Sequence, residues 1–114
     1  MDWDLNALMD RLEGDRDFLR ELLTIFQQDV RSNLEKSRVA LAGDQLTELS
    51  RAAHTLKGML KNLSMGEAAQ TAAALEQAAR EGALESSRQL LEQLTRQLEE
   101  IQREVAAQLA EVKV

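Results

Sequence analysis

The stretch AHTLKGMLKNLSMG, residues 53–66, separates into two faces when wound as a helix at about 100° per residue. Leu56, Met59, Leu60 and Leu63, joined by Leu49 and Ala52 just ahead of them, fall within about 50° of one direction, an apolar stripe wide enough to face a core. His54, the only histidine of the chain, lies nearly opposite, with Lys57, Gly58 and Lys61 at its +3, +4 and +7 positions. Those are its helical neighbours on its own side. Between Glu48 and Glu67 there is no acidic residue, although the whole chain carries a formal charge of −6.

A histidine that served the core would sit on the Leu56 and Leu60 side, and the wheel places His54 away from it. An exposed histidine of no consequence is the other plain reading, and Gly58 and the lysines stand against it. A glycine inside a helix costs about 1 kcal/mol relative to alanine, and this one lies one turn from the imidazole, where it leaves room for something to approach. Lys57 and Lys61 put ammonium groups where an anion on the imidazole would be. The residues by themselves therefore describe a solvent-facing histidine suited to handling an anion.

Working outward, the same periodicity divides the chain into helices. Residues 1–12 hold Trp3, Leu5, Leu8, Met9 and Leu12 at near-helical spacing, with Asp2 and Asp4 at the front to cap a short helix. Trp3 is read as a core residue, since it is the one side chain there able to bury a large area. Glu13, Gly14 and Asp15 break the pattern, and Asp15 is a good N-cap. Leu19, Leu22, Leu23, Phe26, Val30, Leu34 and Leu41 then predict one helix over residues 16–42, about 40 Å long. Gly43 is expected to end it and Asp44 to cap the next, which runs over residues 45–63 and carries the histidine. Residues 64–66 form a short turn. Residues 67–81 are alanine-rich, so this helix is expected to pack tightly on a neighbour, and Gly82 ends it. From Leu84 the chain carries Leu91, Leu94, Leu98, Ile101, Val105 and Val112 in one register, interrupted by Ser87 and Gln108. Bundle packing accounts for the early part of this last helix, and the end past about Val105 is long enough to extend beyond the bundle.

The chain has 114 residues, no proline, no cysteine and 3% aromatic residues. That length suits a single domain, residues 1–114, with one core, and the composition favours helix and hardly any β-structure. The expected fold is all-α: an antiparallel four-helix bundle with a short N-terminal capping helix. The absence of thiols excludes disulfides and thiolate metal sites. The acidic balance argues against nucleic acid, which needs a basic footprint. No apolar run approaches a membrane span and no signal-peptide pattern opens the sequence, so neither membrane insertion nor export is expected and the reading is cytoplasmic.

With the residues set out, AHTLKG at 53–58, followed by Asn62 and a small-residue segment, resembles the signature of histidine-containing phosphotransfer (HPt) domains of bacterial two-component phosphorelays. GDRDFLRELLTIF resembles the family's segment before its second helix, and LEQAAREG its segment after the phosphorylation helix. The resemblance covers nearly the whole chain. It implies that His54 is the phospho-accepting residue, that Lys57 and Lys61 help position or screen the phosphoryl group, and that Gly58 gives a partner domain room. The implied partners are response-regulator receiver domains and a sensor or hybrid histidine kinase. One departure is visible: Ser64 stands where many members carry glycine.

A neutral imidazole is a competent nucleophile near pH 7. Phosphoryl transfer also needs in-line geometry and charge neutralisation, usually by Mg²⁺. The site segment has no acidic cluster for a metal, and the chain has no phosphate-binding glycine loop. Metal and catalysis are therefore expected from the partner, and this chain, without a cofactor or metal of its own, would be a phosphoryl carrier and not a kinase. Two other readings stay open at this level: the phospho-accepting domain of a chemotaxis-type histidine kinase, and a non-catalytic helical interaction bundle in which His54 is incidental.

Overall fold

The computed structural model describes residues 3–112. Asp2 lies outside the described residues, as does the Val112 side chain. Five helices account for most of the chain: α1 (Leu5–Arg11), α2 (Arg16–Ala42), α3 (Leu46–Asn62), α4 (Gly66–Arg80) and α5 (Leu84–Val112). Among the described residues there is no strand, only an isolated antiparallel bridge between Trp3 and Met65. No described helix is long and apolar enough to cross a membrane.

The N-terminal segment is shorter as a helix than the periodicity of residues 1–12 predicts. Asp4 accepts a hydrogen bond from the Ala7 amide at 3.0 Å, which starts α1 at Leu5. Trp3 precedes the helix and is 4% exposed, the core residue its size demands. The segment is held to the α3–α4 turn by the Asp4 amide donating to the Ser64 carbonyl and by the Arg11 guanidinium donating to the Asn62 carbonyl. Asp15 caps α2 as expected, accepting from the Phe18 amide at 3.0 Å.

Four helices end in one way, and after α2 and α3 it differs from the expected punctuation. After α2 the residue in the left-handed region is Asp44, with φ of 53°, while Gly43 stays at −95°. The Gln45 amide then donates to Ala40 and the Asp44 amide to Leu41, the paired bonds that satisfy a helix's last carbonyls. Asp44 is consequently spent on ending α2, and Gln45, without a side-chain cap bond, precedes α3. The same pair of bonds recurs after α1 with Glu13 left-handed, after α3 with Ser64 and after α4 with Gly82. Gly66 is the first residue of α4 and not part of the turn.

These tight turns bring consecutive helices side by side. α2 packs on α3 and α5, and α4 packs on α3 and α5, so the four long helices close a ring of contacts. Leu23, Leu49, Leu56, Leu60, Met65, Leu75, Leu94 and Val105 fill the middle, all 0% exposed. The alanine-rich helix packs most closely on α3, with Ala68, Ala69, Ala72 and Ala79 buried. Ser87 interrupts the α5 register, yet it is fully buried, and its Oγ has no hydrogen-bond partner among the described residues. Beyond Val105, Leu109 still packs partly against the core.

Ser64 carries a left-handed backbone, φ 60°, that costs a residue with a Cβ on the order of 1 kcal/mol and glycine nothing. Ser64→Gly should therefore raise the stability of the fold by roughly 0.5–1 kcal/mol, read as an upward shift in thermal or denaturant midpoint. A lower midpoint would show that Ser64 holds the turn through its side chain.

Candidate functional site

His54 stands near the middle of α3 with its side chain 64% exposed, on the face opposite buried Leu49, Leu56 and Leu60. Gly58 is one turn further on, and a Cβ placed there would meet nothing within 4 Å. The fold thus has no steric need of this glycine, and its helical cost is borne with open space around it. Lys61 is exposed in the last turn of α3.

What the residues around His54 did not disclose comes from the neighbouring helix. Glu76 of α4 has a side chain only 4% exposed, and its two oxygens are divided among three groups. Oε1 accepts from Lys57 Nζ at 2.7 Å. Oε2 lies 2.9 Å from His54 Nδ1 and 2.8 Å from an Arg80 guanidinium nitrogen. Lys57 is accordingly 23% exposed, drawn inward, while Arg80 remains 60% exposed. Of the sequence-predicted residues, the structure brings His54 and Lys57 together through this carboxylate. It leaves Gly58 and Lys61 on the open side.

The hydrogen bond from Lys57 does most to hold the Glu76 carboxyl below its ordinary range. Burial pushes it upward and is outweighed by that bond together with the His54 bond and the charge of Arg80. Glu76 is therefore ionised at neutral pH and can only accept hydrogen bonds. It follows that Nδ1 of His54 carries the ring proton, and that Nε2 of the neutral imidazole holds the free electron pair. Which imidazole nitrogen keeps its lone pair is thus set by a carboxylate from another helix. Among the described residues no group of three or more His, Cys, Asp or Glu side chains is arranged to hold a metal ion.

Glu76 and Arg80 were legible in principle. Glu76 lies seven residues after Ala69, four after Ala72 and three before Ala79, all buried, so it falls inside the apolar stripe of α4, where a charge without a partner is costly. That misplacement is the signal, with Arg80 at the +4 position as the nearest compensating charge. The alanine pattern, read only for its small side chains, conceals it.

The sequence profile described as "Hpt domain" matches residues 21–104. Among solved structures, the crystal structure of histidine-containing phosphotransfer protein B (HptB) from Pseudomonas aeruginosa PAO1 is similar over 96% of each chain, with a TM-score of 0.90 and 25% sequence identity. No curated protein sequence matches the chain.

The Glu76 carboxyl titrates lower in the folded chain than its ordinary value, so its stabilising contribution is complete above the unfolded glutamate range and is lost as pH falls through the folded value. Acid titration of stability should show this directly. The wild type should lose stability below the ordinary glutamate range more steeply than Glu76→Gln, and the two curves should run parallel above it. Parallel curves throughout would mean that the cluster does not stabilise the ionised carboxylate.

Proposed function

The chain belongs to the Hpt domain family, with its histidine-phosphotransfer role in phosphorelays, and from that premise we propose that His54 is the residue that takes and yields the phosphoryl group. The observation that carries this reading is the bond from His54 Nδ1 to the buried Glu76 carboxylate, which leaves the Nε2 lone pair on a side chain open to solvent. Hpt proteins carry phosphoryl groups and do not catalyse, and they interact with receiver domains and histidine kinases. The donor in this reading is a receiver-domain aspartyl phosphate. The Nε2 pair attacks phosphorus, the N–P bond forms, and the acyl oxygen–phosphorus bond breaks with its electrons returning to the receiver's carboxylate. The ring, still protonated at Nδ1, gains positive charge as the bond forms, and Glu76 is placed to stabilise it. A second receiver takes the group by the reverse step.

In this reading the metal and the in-line geometry come from the partner: Lys57, Lys61 and Arg80 bring cations to the site, and among the described residues no group of three or more His, Cys, Asp or Glu side chains is arranged to hold a metal ion. Gly58 and the exposed Lys61 form the approach to the imidazole. The surface groove between α2 and α3 reaches Thr55, next to His54 in the chain, and is mixed in charge: Arg51 is paired with Glu48 on one wall, and Glu35, Lys36 and exposed Val39 line the other. Lys61 and Arg80 keep the surface basic at the histidine itself, and Val39 adds apolar area in the neighbouring groove, a pattern suited to an acidic receiver site. We take the chain as one domain, an antiparallel four-helix bundle of α2–α5 with α1 capping one end. The closed ring of helix contacts and the three-residue connections of the last three turns support that arrangement. The proposed location is the cytoplasm.

Incubation with a phosphorylated receiver domain should place acid-labile phosphate on the wild type and none on His54→Gln, whose stability should stay within about 1 kcal/mol. Label on the variant would remove His54 from the mechanism. Gly58→Leu should fold normally, given the open space, and transfer at least tenfold more slowly. A fully active Gly58→Leu would place the docking face elsewhere.

A further inference from the structure

The Glu76 carboxylate has more positive charge on it than a resting site requires. One cation and the imidazole N–H already compensate a buried carboxylate, yet Lys57 and Arg80 both bind it, on different oxygens. The two cations differ in what else they can reach. Lys57 is a flexible point charge on α3, one turn from His54 on the same helix. Arg80 is on α4, four residues from Glu76, with a planar guanidinium that keeps its geometry against a carboxylate.

We propose that Arg80 is a positioning residue that keeps Glu76 charge-compensated and aimed at His54 while Lys57 leaves the carboxylate for the phosphoryl group on Nε2. The inference rests on the reading of His54 as the phospho-acceptor. A phosphoryl group brings close to two negative charges beside Lys57. If Lys57 were the sole cation on Glu76, its departure would leave a carboxylate that is 4% exposed with only the imidazole donor, and the cost of that stranded charge would oppose the phosphorylated state. With Arg80 on Oε2 the carboxylate keeps a full cation and the Nδ1–H bond. Lys57 is then free to turn. The arrangement is a handover: three groups hold Glu76 before phosphorylation and two hold it after.

The test uses the full chain with two donors. Phosphoramidate, as ⁺H₃N–PO₃²⁻, needs no docking surface: Nε2 bonds to phosphorus, the P–N bond breaks and ammonia leaves with its electron pair. A phosphorylated receiver domain supplies the second route. The readouts are phosphohistidine half-life by ³¹P NMR and the ¹⁵N resonance of the Lys57 ammonium before and after phosphorylation. In the wild type the Lys57 resonance should move on phosphorylation. In Arg80→Gln it should stay near its resting position, and the phosphohistidine should hydrolyse at least threefold faster with either donor. Arg80→Lys should restore most of the lifetime. Lys57→Ala should shorten it in the wild-type background and add little to Arg80→Gln. A Lys57 resonance unmoved in the phosphorylated wild type overturns the handover however the variants fold. So does a wild-type lifetime in Arg80→Gln, or a Lys57→Ala effect undiminished in that background. If the receiver leaves His54 unlabelled, the phospho-acceptor reading itself fails; if labelling is normal and any of those three results appears, only the role given to Arg80 falls.

Discussion

A carboxylate taken out of water must be met by charge and hydrogen bonds, and Glu76 imposes that demand on the α3–α4 face that carries His54. Its side chain sits between α3 and α4 at 4% exposure, and every neighbour it needs is within 3 Å: Lys57 at 2.7 Å, Arg80 at 2.8 Å and His54 at 2.9 Å. The short distances depend on how near the two helices come. Ala69, Ala72 and Ala79 on α4 put little side chain into the interface, so the axes can approach and a glutamate on one helix reaches groups on the other. Small residues in the core and a chemically defined imidazole at the surface are thus two ends of one constraint.

The fold was largely readable because the apolar stripes of α2, α3 and α5 are long and strongly periodic. Leu19, Leu23, Phe26 and Val30 on one helix and Leu91, Leu94, Leu98 and Ile101 on another announce both helix and core face. Boundaries were less readable. Glycine was the natural marker for the left-handed turns, but Asp44 and Ser64 occupy two of them, one residue after Gly43 and two before Gly66. The backbone bonds that close each helix outweigh the preference for glycine, so turn position follows from where the last carbonyls must be satisfied. The site was readable by halves. His54, Lys57, Gly58 and Lys61 lie on one helical face and could be found together. Glu76 and Arg80 are contributed by a different helix, and only packing decides which residues of two helices meet.

Gly58 and Lys57 show how differently neighbours on one face can be used. The glycine has open space beyond it and contributes by what it omits. The lysine, one residue earlier, is pulled to 23% exposure by Glu76, so its charge is engaged by the carboxylate beside the histidine and is not simply displayed. An acidic chain of net charge −6 can in this way keep one cation-rich corner.

The turn between α3 and α4 is three residues long, held by Met65 donating to Leu60 and by Asp4 donating to Ser64. His54 and Glu76 are therefore only 22 positions apart in the chain. The entropy lost on closing a loop rises with its length, by about 0.6 kcal/mol per doubling, so a span this short costs less than one joining distant parts of the chain. The pair belongs to a single helical hairpin of low contact order, the class of contact that forms quickly. It is also separate from the ends of the long helices: local opening of the last turns of α5 breaks none of its three bonds. The cluster around Glu76 is thus a local structure, assembled within about a quarter of the chain, and the rest of the bundle serves to hold two helices at the distance their alanines permit.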